Sequence, residues 1–189
     1  MLSQVKPHFI YNSISAIIDL CAGNPEAQNA LVAFSDYLRV NLGAKNPKAL
    51  ISFETELKHI KHYLYLEKLR FEERLQVIYD IKAIDFKVPI LSIQPIVENA
   101  VSHGLFNKPG GGTIRIRTKE TENEYIITIV DDGIGYDPEV IQKSGTTQPG
   151  IENARNRLSS LCRGTLEITS RTDIGTRVNI TIPKEEIHI

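Results

Sequence analysis

The chain has 189 residues, with 22 Lys+Arg against 23 Asp+Glu and a formal net charge of −1, which at roughly 100–200 residues per domain means one domain or two small ones. Hydrophobic residues make up 41% and charged residues 24%, an ordinary globular balance that argues against disorder and against a coiled rod. The near-neutral charge argues against a nucleic-acid binder or a protein held on an anionic membrane surface.

In chain order, Pro7 fits a first helical turn, where its missing N–H costs nothing, and Ile10, Ile14, Ile17, Ile18 and Cys21 then form one apolar stripe. At about 100° per residue, Asn12, Ser15 and Asp19 fall within about 40° of His8, so His8 heads a polar stripe facing away from the core. A lone exposed histidine is most often a surface residue. Its unperturbed pKa near 6.5 nevertheless leaves a neutral, nucleophilic fraction at neutral pH, and Asn12, one turn on, is within reach to hold the ring or an incoming phosphoryl group. A second helix follows Pro25, with Ala27, Ala30, Leu31, Phe34 and Leu38 on one face and Gly43 and Asn46-Pro47 after its end. A third is expected after Ser52, with Glu54 and Glu56 in its first turn, down to about Phe71. His59 and His62 on it have no third metal ligand in view and read as a solvated face.

From Leu75 the period changes. LQVIYDI alternates as a strand, and Pro89 to about Leu105 reads as a helix. Two strands, Thr113–Thr118 and Tyr125–Val130, are joined by a polar turn. After a Gly-containing loop, Ile151–Cys162 is helical, and TLEITS and TRVNITI close the chain as a strand pair around Asp173-Ile174-Gly175. Interleaved helices and terminal hairpins favour an α+β layered sandwich over a doubly wound parallel sheet. Cys21 and Cys162 sit in no CxxC pattern and read as reduced cytosolic thiols. No run reaches the roughly 18–20 apolar residues of a membrane span and the start is not a signal peptide. The chain therefore reads as soluble, with room for a longer parent.

Three segments of the second half carry chemistry. In QPIVENAVSHG, Asn99 and His103 share a helix face and Glu98 lies about 100° away; a carboxamide oxygen and a carboxylate suit Mg²⁺, and helix capping with surface polarity is the plainer alternative. In VDDGIGYD, Asp131 ends a strand as an acceptor-only carboxylate able to take a hydrogen bond from an exocyclic amine such as that of adenine. Gly133 and Gly135 let backbone pass close to a flat ligand; a plain turn or a calcium-like loop fits the same letters nearly as well. In GTTQPGIENARNRL, a loop opens a helix whose N-terminal amides can meet an anion.

Taken together, QVKPHFIYN, ISFETELKHIKHYLYLEKLRFEERL, QPIVENAVSHG, DDGIGY, GIENARNRL and GTRVNITIP resemble, in order, the motifs of the LytS/YehU-like bacterial sensor histidine kinases over essentially the whole chain. The second half resembles the GHKL ATPase fold of gyrase, MutL and histidine kinases. The resemblance implies a helical dimerisation and phosphoacceptor region over 1–71, followed by an ATP-binding two-layer α/β sandwich with a mixed sheet over 72–189. It implies that His8 accepts the phosphoryl group, with Asn12 one turn below it. Asn99 would ligate the Mg²⁺ that bridges the ATP phosphates, with Glu98 beside it as a polarising or base-like group and His103 on the same face. Asp131 would read the adenine amine with support from Thr176, and Gly133, Gly135 and Gly150 would shape the pocket and its lid. It further implies a homodimer through the N-terminal helices, phosphotransfer to an aspartate of a response regulator, no nucleic-acid partner and no membrane contact by this segment, which would be a cytoplasmic part of a membrane-anchored sensor.

The sequence departs from that family at two places. Gln148-Pro149-Gly150-Ile151 stands where a Gly-x-Gly-Leu lid run is usual, and Ser102 stands where a lysine is common, leaving Lys108, Arg155 or Arg157 to replace its charge. The altered lid motivates an alternative, a nucleotide-binding interaction module whose kinase activity has lapsed. A plain ATPase leaves the Pro-His-Phe segment without a purpose. With His8, Asn99, Asp131, Gly133 and Gly135 intact, an active kinase is expected.

Overall fold

A computed structural model describes residues 7–43, 49–137 and 149–184, the side chains of residues 7–9, 11 and 43 excepted. Helix α1 (Pro7–Leu20) and helix α2 (Pro25–Gly43) form an antiparallel hairpin. Asn24 starts α2 by accepting the Ala27 N–H on its side-chain oxygen at 3.1 Å, the usual service of an N-cap residue. Ile14 and Ala33 are buried, whereas Ile17, Leu20, Val32, Phe34 and Leu42 remain exposed. Phe34, expected on one face with Ala27, Ala30, Leu31 and Leu38, is exposed where those four are half-buried.

Strand β1 (Leu50–Ser52) leads into helix α3 (Phe53–Phe71), whose N-cap Ser52 accepts from the Thr55 N–H at 3.2 Å. Glu54 and Glu56 in the first turn and Lys68 and Arg70 in the last complement the helix dipole. Phe53, Leu57, Ile60 and Leu64 recur on one face and are at most 3% exposed. This face of α3 shares one core with Ile93, Ile96, Ile114 and Ile116 from the second half. On its other side α3 meets α2, where Tyr37 stacks on Tyr63 with ring centroids 6.0 Å apart. His59 and His62 are consequently half-buried at this seam and not on a solvated face; His62 Nδ1 lies 3.5 Å from Asp36 of α2.

The sheet contains β2 (Leu75–Ile81), β4 (Gly112–Glu120), β5 (Glu124–Asp131), β6 (Thr165–Arg171) and β7 (Gly175–Pro183) in the order β2-β4-β5-β7-β6. Only β2 and β4 run parallel, so the sheet is mixed. Alternation sorts its faces: Ile114, Ile116, Ile127, Ile129, Val178 and Ile180 are buried on the inner side, while Arg115, Arg117 and Arg177 are exposed on the outer. The inner side is covered by α3, by α4 (Gln94–Asn99) with its π-helical continuation Ala100–Leu105, and by α5 (Pro149–Cys162). A stack of Phe53, Phe86 and Tyr125, each step 4.7 Å between centroids, closes one end of the core.

The architecture is the expected α+β sandwich, with two differences in detail. Residues Lys87–Pro89 form a short strand, β3, paired with β1, and the helix expected from Pro89 starts only at Gln94. Pro95 stands in its first turn, the one helical position where a proline is at ease. Three-residue strands are too short to show a period, so nothing in the sequence announced them.

Candidate nucleotide site

Between the inner face of β5 and β7 and the helices α4 and α5 lies a cavity of about 490 Å³. Asp131, the last residue of β5, is on the buried side of the strand alternation and is only 4% exposed. Its neighbour across the ladder is Thr176 of β7, and both line the cavity. Burial drives the Asp131 carboxyl up to about 6, although the N–H groups of Gly133 and Thr176 pull it back down. The Thr176 hydroxyl is 2.8 Å from Ser170 Oγ, which also accepts the Tyr136 N–H at 3.0 Å. Ser170 escaped the sequence reading because a serine in TLEITS carries no signal of its own.

The approach of the chain to Asp131 depends on missing side chains. Asp131 Oδ1 accepts the Gly133 N–H at 3.0 Å. A Cβ on Gly133 would stand 2.6 Å from the Gly104 Cα, and a Cβ on Gly104 would stand 2.8 Å from Asp131 Oδ1. Gly104 was absent from the expected site, though a glycine inside a helix, at about 1 kcal/mol less favourable than alanine, is a signal that backbone must come close. Gly135 has φ +57° and its missing Cβ leaves room for the Arg171 carbonyl, so it also lines the cavity.

Asn99, the last residue of α4, and His103 in the π-helical turn face the same cavity, as the shared helix face predicts. π-helical turns concentrate at functional sites because the extra residue re-aims the side chains around it. Glu98 does not line the cavity: its Oε1 accepts from Gln94 Nε2 at 2.7 Å and from the Tyr37 hydroxyl at 3.3 Å, facing α2. Pro149 and Gly150 open α5 at the cavity edge, and the proline is accommodated as the first helical residue; Gln148 lies outside the described residues. Of the three cations offered in place of a lysine at Ser102, Lys108 is held by Asp132 at 3.2 Å and Arg157 by the carbonyls of Ile90 and Leu91. Arg155, 3.8 Å from Glu152, is the one whose charge is felt at Tyr136 on the cavity wall.

Among the described side chains, none of α1 lines the cavity. His8 is in the first turn of that helix, its side chain lying outside what is described, and Asn12 is exposed on it. The structure thus brings together Asn99, His103, Asp131, Gly135, Gly150 and Thr176, with Gly133 supporting Asp131, and leaves Asn12 and Glu98 off the cavity wall. Among the described residues no group of three or more His, Cys, Asp or Glu side chains is placed to hold a metal ion. A lone carboxamide such as Asn99 fits a cation that takes its other ligands from phosphate and water, which is the habit of Mg²⁺.

Residues 1–75 match the family model for histidine kinases, and residues 90–186 match that for the histidine kinase-, DNA gyrase B- and HSP90-like ATPases. The chain is 42% identical to YwpD of Bacillus subtilis, over 95% of this chain and 67% of that protein. It is 35% identical to the sensor histidine kinase YpdA of Escherichia coli, over 97% of this chain and 33% of that protein. With the sensor histidine kinase YesM of Bacillus subtilis the identity is 32%, over 96% and 32%. The chain therefore spans only about a third of the length of these two kinases. In fold it is similar to the histidine kinase domain of a blue-light activated histidine kinase from Erythrobacter litoralis, with TM-score 0.57 and 18% identity over 95% of this chain and 86% of that one.

Proposed function

The chain belongs to the sensor histidine kinases with a GHKL-type ATPase domain, and from that membership we propose that it binds ATP in the cavity and passes the γ-phosphoryl group to His8, then to an aspartate of a response regulator. The reading rests chiefly on Asp131, a buried carboxylate at a strand end with Thr176 beside it, in a cavity whose opposite wall presents Asn99. The carboxylate accepts the adenine amine, the Thr176 hydroxyl supports that contact, and the close backbone at Gly104 and Gly133 leaves the base a flat slot. Asn99, with His103 on the same face, attends the phosphates. Mg²⁺ held by Asn99 would supply charge neutralisation on those phosphates.

In the transfer a neutral nitrogen of the His8 imidazole attacks the γ-phosphorus, an N–P bond forms, and the bond to the ADP oxygen breaks. The ring proton goes to solvent. None of the described side chains of α1 lines the cavity, so in this reading α1 of the same chain or of a second copy comes to the nucleotide for the transfer. The exposed apolar side chains of α1 and α2, Ile17, Leu20, Val32, Phe34 and Leu42, support pairing with a second copy. In this reading residues 1–71 supply dimerisation and the phosphoacceptor and 72–189 the ATP domain, with α3 packed against it. No helix among the described residues is long and apolar enough to cross a membrane; an anchor and a sensor would belong to the rest of a longer, membrane-anchored parent, with this part on the cytoplasmic side.

Titration of ATP with and without Mg²⁺ tests the site. Saturable binding is expected, tightened by the metal, and Asn99→Ala should lose about 10-fold of affinity with Mg²⁺ present while binding Mg²⁺-free nucleotide like the parent, in keeping with one lost charge-assisted contact. An Asn99→Ala protein whose Mg²⁺ response is intact contradicts the assignment of Asn99.

A further inference from the structure

Between β3 and α4 the chain turns through Ile90–Ile93, and Leu91 in this turn has φ +55°, a left-handed conformation that bulky residues seldom adopt and that persists only where the surroundings enforce it. Two charged side chains from different elements do so. From α3, Glu56, with no exposed surface, accepts the N–H of Leu91 on Oε2 at 3.1 Å and those of Ile93 and Gln94 on Oε1 at 3.0 and 3.2 Å. From α5, Arg157 Nη1 donates to the carbonyls of Ile90 at 2.9 Å and Leu91 at 3.2 Å. A carboxylate takes the donors of the turn and a guanidinium takes its acceptors. The turn's own polar side chains do not share this duty, since Ser92 Oγ and Gln94 Oε1 are buried without a hydrogen-bond partner among the described residues.

What this turn holds is the start of α4. That helix begins at Gln94, presents Asn99 on the cavity wall and runs on without a break into the π-helical segment Ala100–Leu105. Two to three turns have little stability of their own, so the pose of Asn99 depends on how the first turn is seated as well as on the burial of Val101 and Leu105 beyond it. We propose that Glu56 and Arg157 are positioning residues for phosphoryl transfer: they lock the Ile90–Ile93 turn from both sides and thereby aim Asn99 into the cavity. Neither side chain lines the cavity. Glu56 stands at the start of α3, the helix that follows α2, so the lock also ties the placement of α3 to that of Asn99. The inference rests on the reading of the cavity as an ATP site.

The test uses the 189-residue chain with Glu56→Gln, which turns one oxygen into a donor facing donors, and Arg157→Met, which keeps the aliphatic stem and removes the donors. Three quantities are read: amide exchange of residues 94–99 without nucleotide, ADP affinity with and without Mg²⁺, and the kcat and KM of autophosphorylation. Expected are faster exchange at 94–99 with the β5 and β7 amides still protected, Mg²⁺-free ADP affinity within about 3-fold of the parent, a weakened Mg²⁺ response, and a fall in kcat of about 30-fold or more with little change in KM, as a displaced positioning group produces. Global destabilisation alone would not single out the Mg²⁺ response of the folded protein. If Glu56→Gln does not fold, Arg157→Met carries the test. A folded variant with parental exchange at 94–99, parental Mg²⁺ response and parental kcat overturns the proposal. A parent that binds no nucleotide refutes the ATP reading instead, while the exchange measurement still judges the lock.

Discussion

Asp131→Asn is expected to lose adenine-nucleotide binding by about 100-fold and to fold more stably than the parent. The loss follows from donor counting. The carboxylate already accepts the Gly133 N–H on Oδ1 and has lone pairs left for an amine; an amide has one oxygen and one NH₂, so in either orientation a donor faces a donor. The gain in stability follows from linkage. Asp131 is raised from an ordinary 3.8 to about 6 by burial, so between those values the folded state holds more protons than the unfolded one, and above pH 6 the buried charge costs about 3 kcal/mol. The variant removes that cost. The stability difference should be full at pH 7–8 and shrink as pH falls from about 6 toward 4, because acid relieves the parent in the same way. Denaturant unfolding at several pH values checks this, and a variant less stable than the parent at pH 7.5 contradicts it.

His8→Gln is expected to remove phosphoryl incorporation, by at least about 100-fold, with nucleotide binding unchanged. The amide of glutamine is no nucleophile, whereas a neutral imidazole is. Binding is spared because the residues assigned to the nucleotide, Asp131, Thr176, Asn99 and His103, all lie in the second half of the chain. The label in the parent should be labile to acid and stable to alkali, as an N–P bond is. A His8→Gln protein that still gains such a label assigns the acceptor elsewhere. Mixing His8→Gln with Asp131→Asn separates two geometries: label on the second protein means transfer between chains, and an unlabelled mixture of exchanging dimers means transfer within one.

Much of the fold was legible because it is written in local periods. The alternation of Ile114, Ile116 and of Ile127, Ile129 marks strands, and the spacing of Phe53, Leu57, Ile60 and Leu64 is that of one helix face. Asp131, Asn99, His103 and Thr176 were found from short motifs at element ends, and they do meet at one cavity. What escaped depends on partners far along the chain. Glu56 read only as an acid in the first turn of a helix, and its hydrogen-bond partners lie 35–38 residues away. Glu98 read as a companion of Asn99, but the hydroxyl of Tyr37, 61 residues earlier, holds it on the other side of the helix. Ser170 and Gly104 matter through what touches them, and no single-sequence pattern carries that.

The central claim is that a purine triphosphate lies with its base on Asp131 and its phosphates toward Asn99. A crystal structure of the chain grown with a non-hydrolysable ATP analogue and Mg²⁺ measures this directly. The account predicts the exocyclic amine within hydrogen-bond distance of the Asp131 carboxylate and the phosphate chain running to the Asn99 side of the cavity. A base seated away from Asp131, or an empty cavity at saturating analogue, would contradict it.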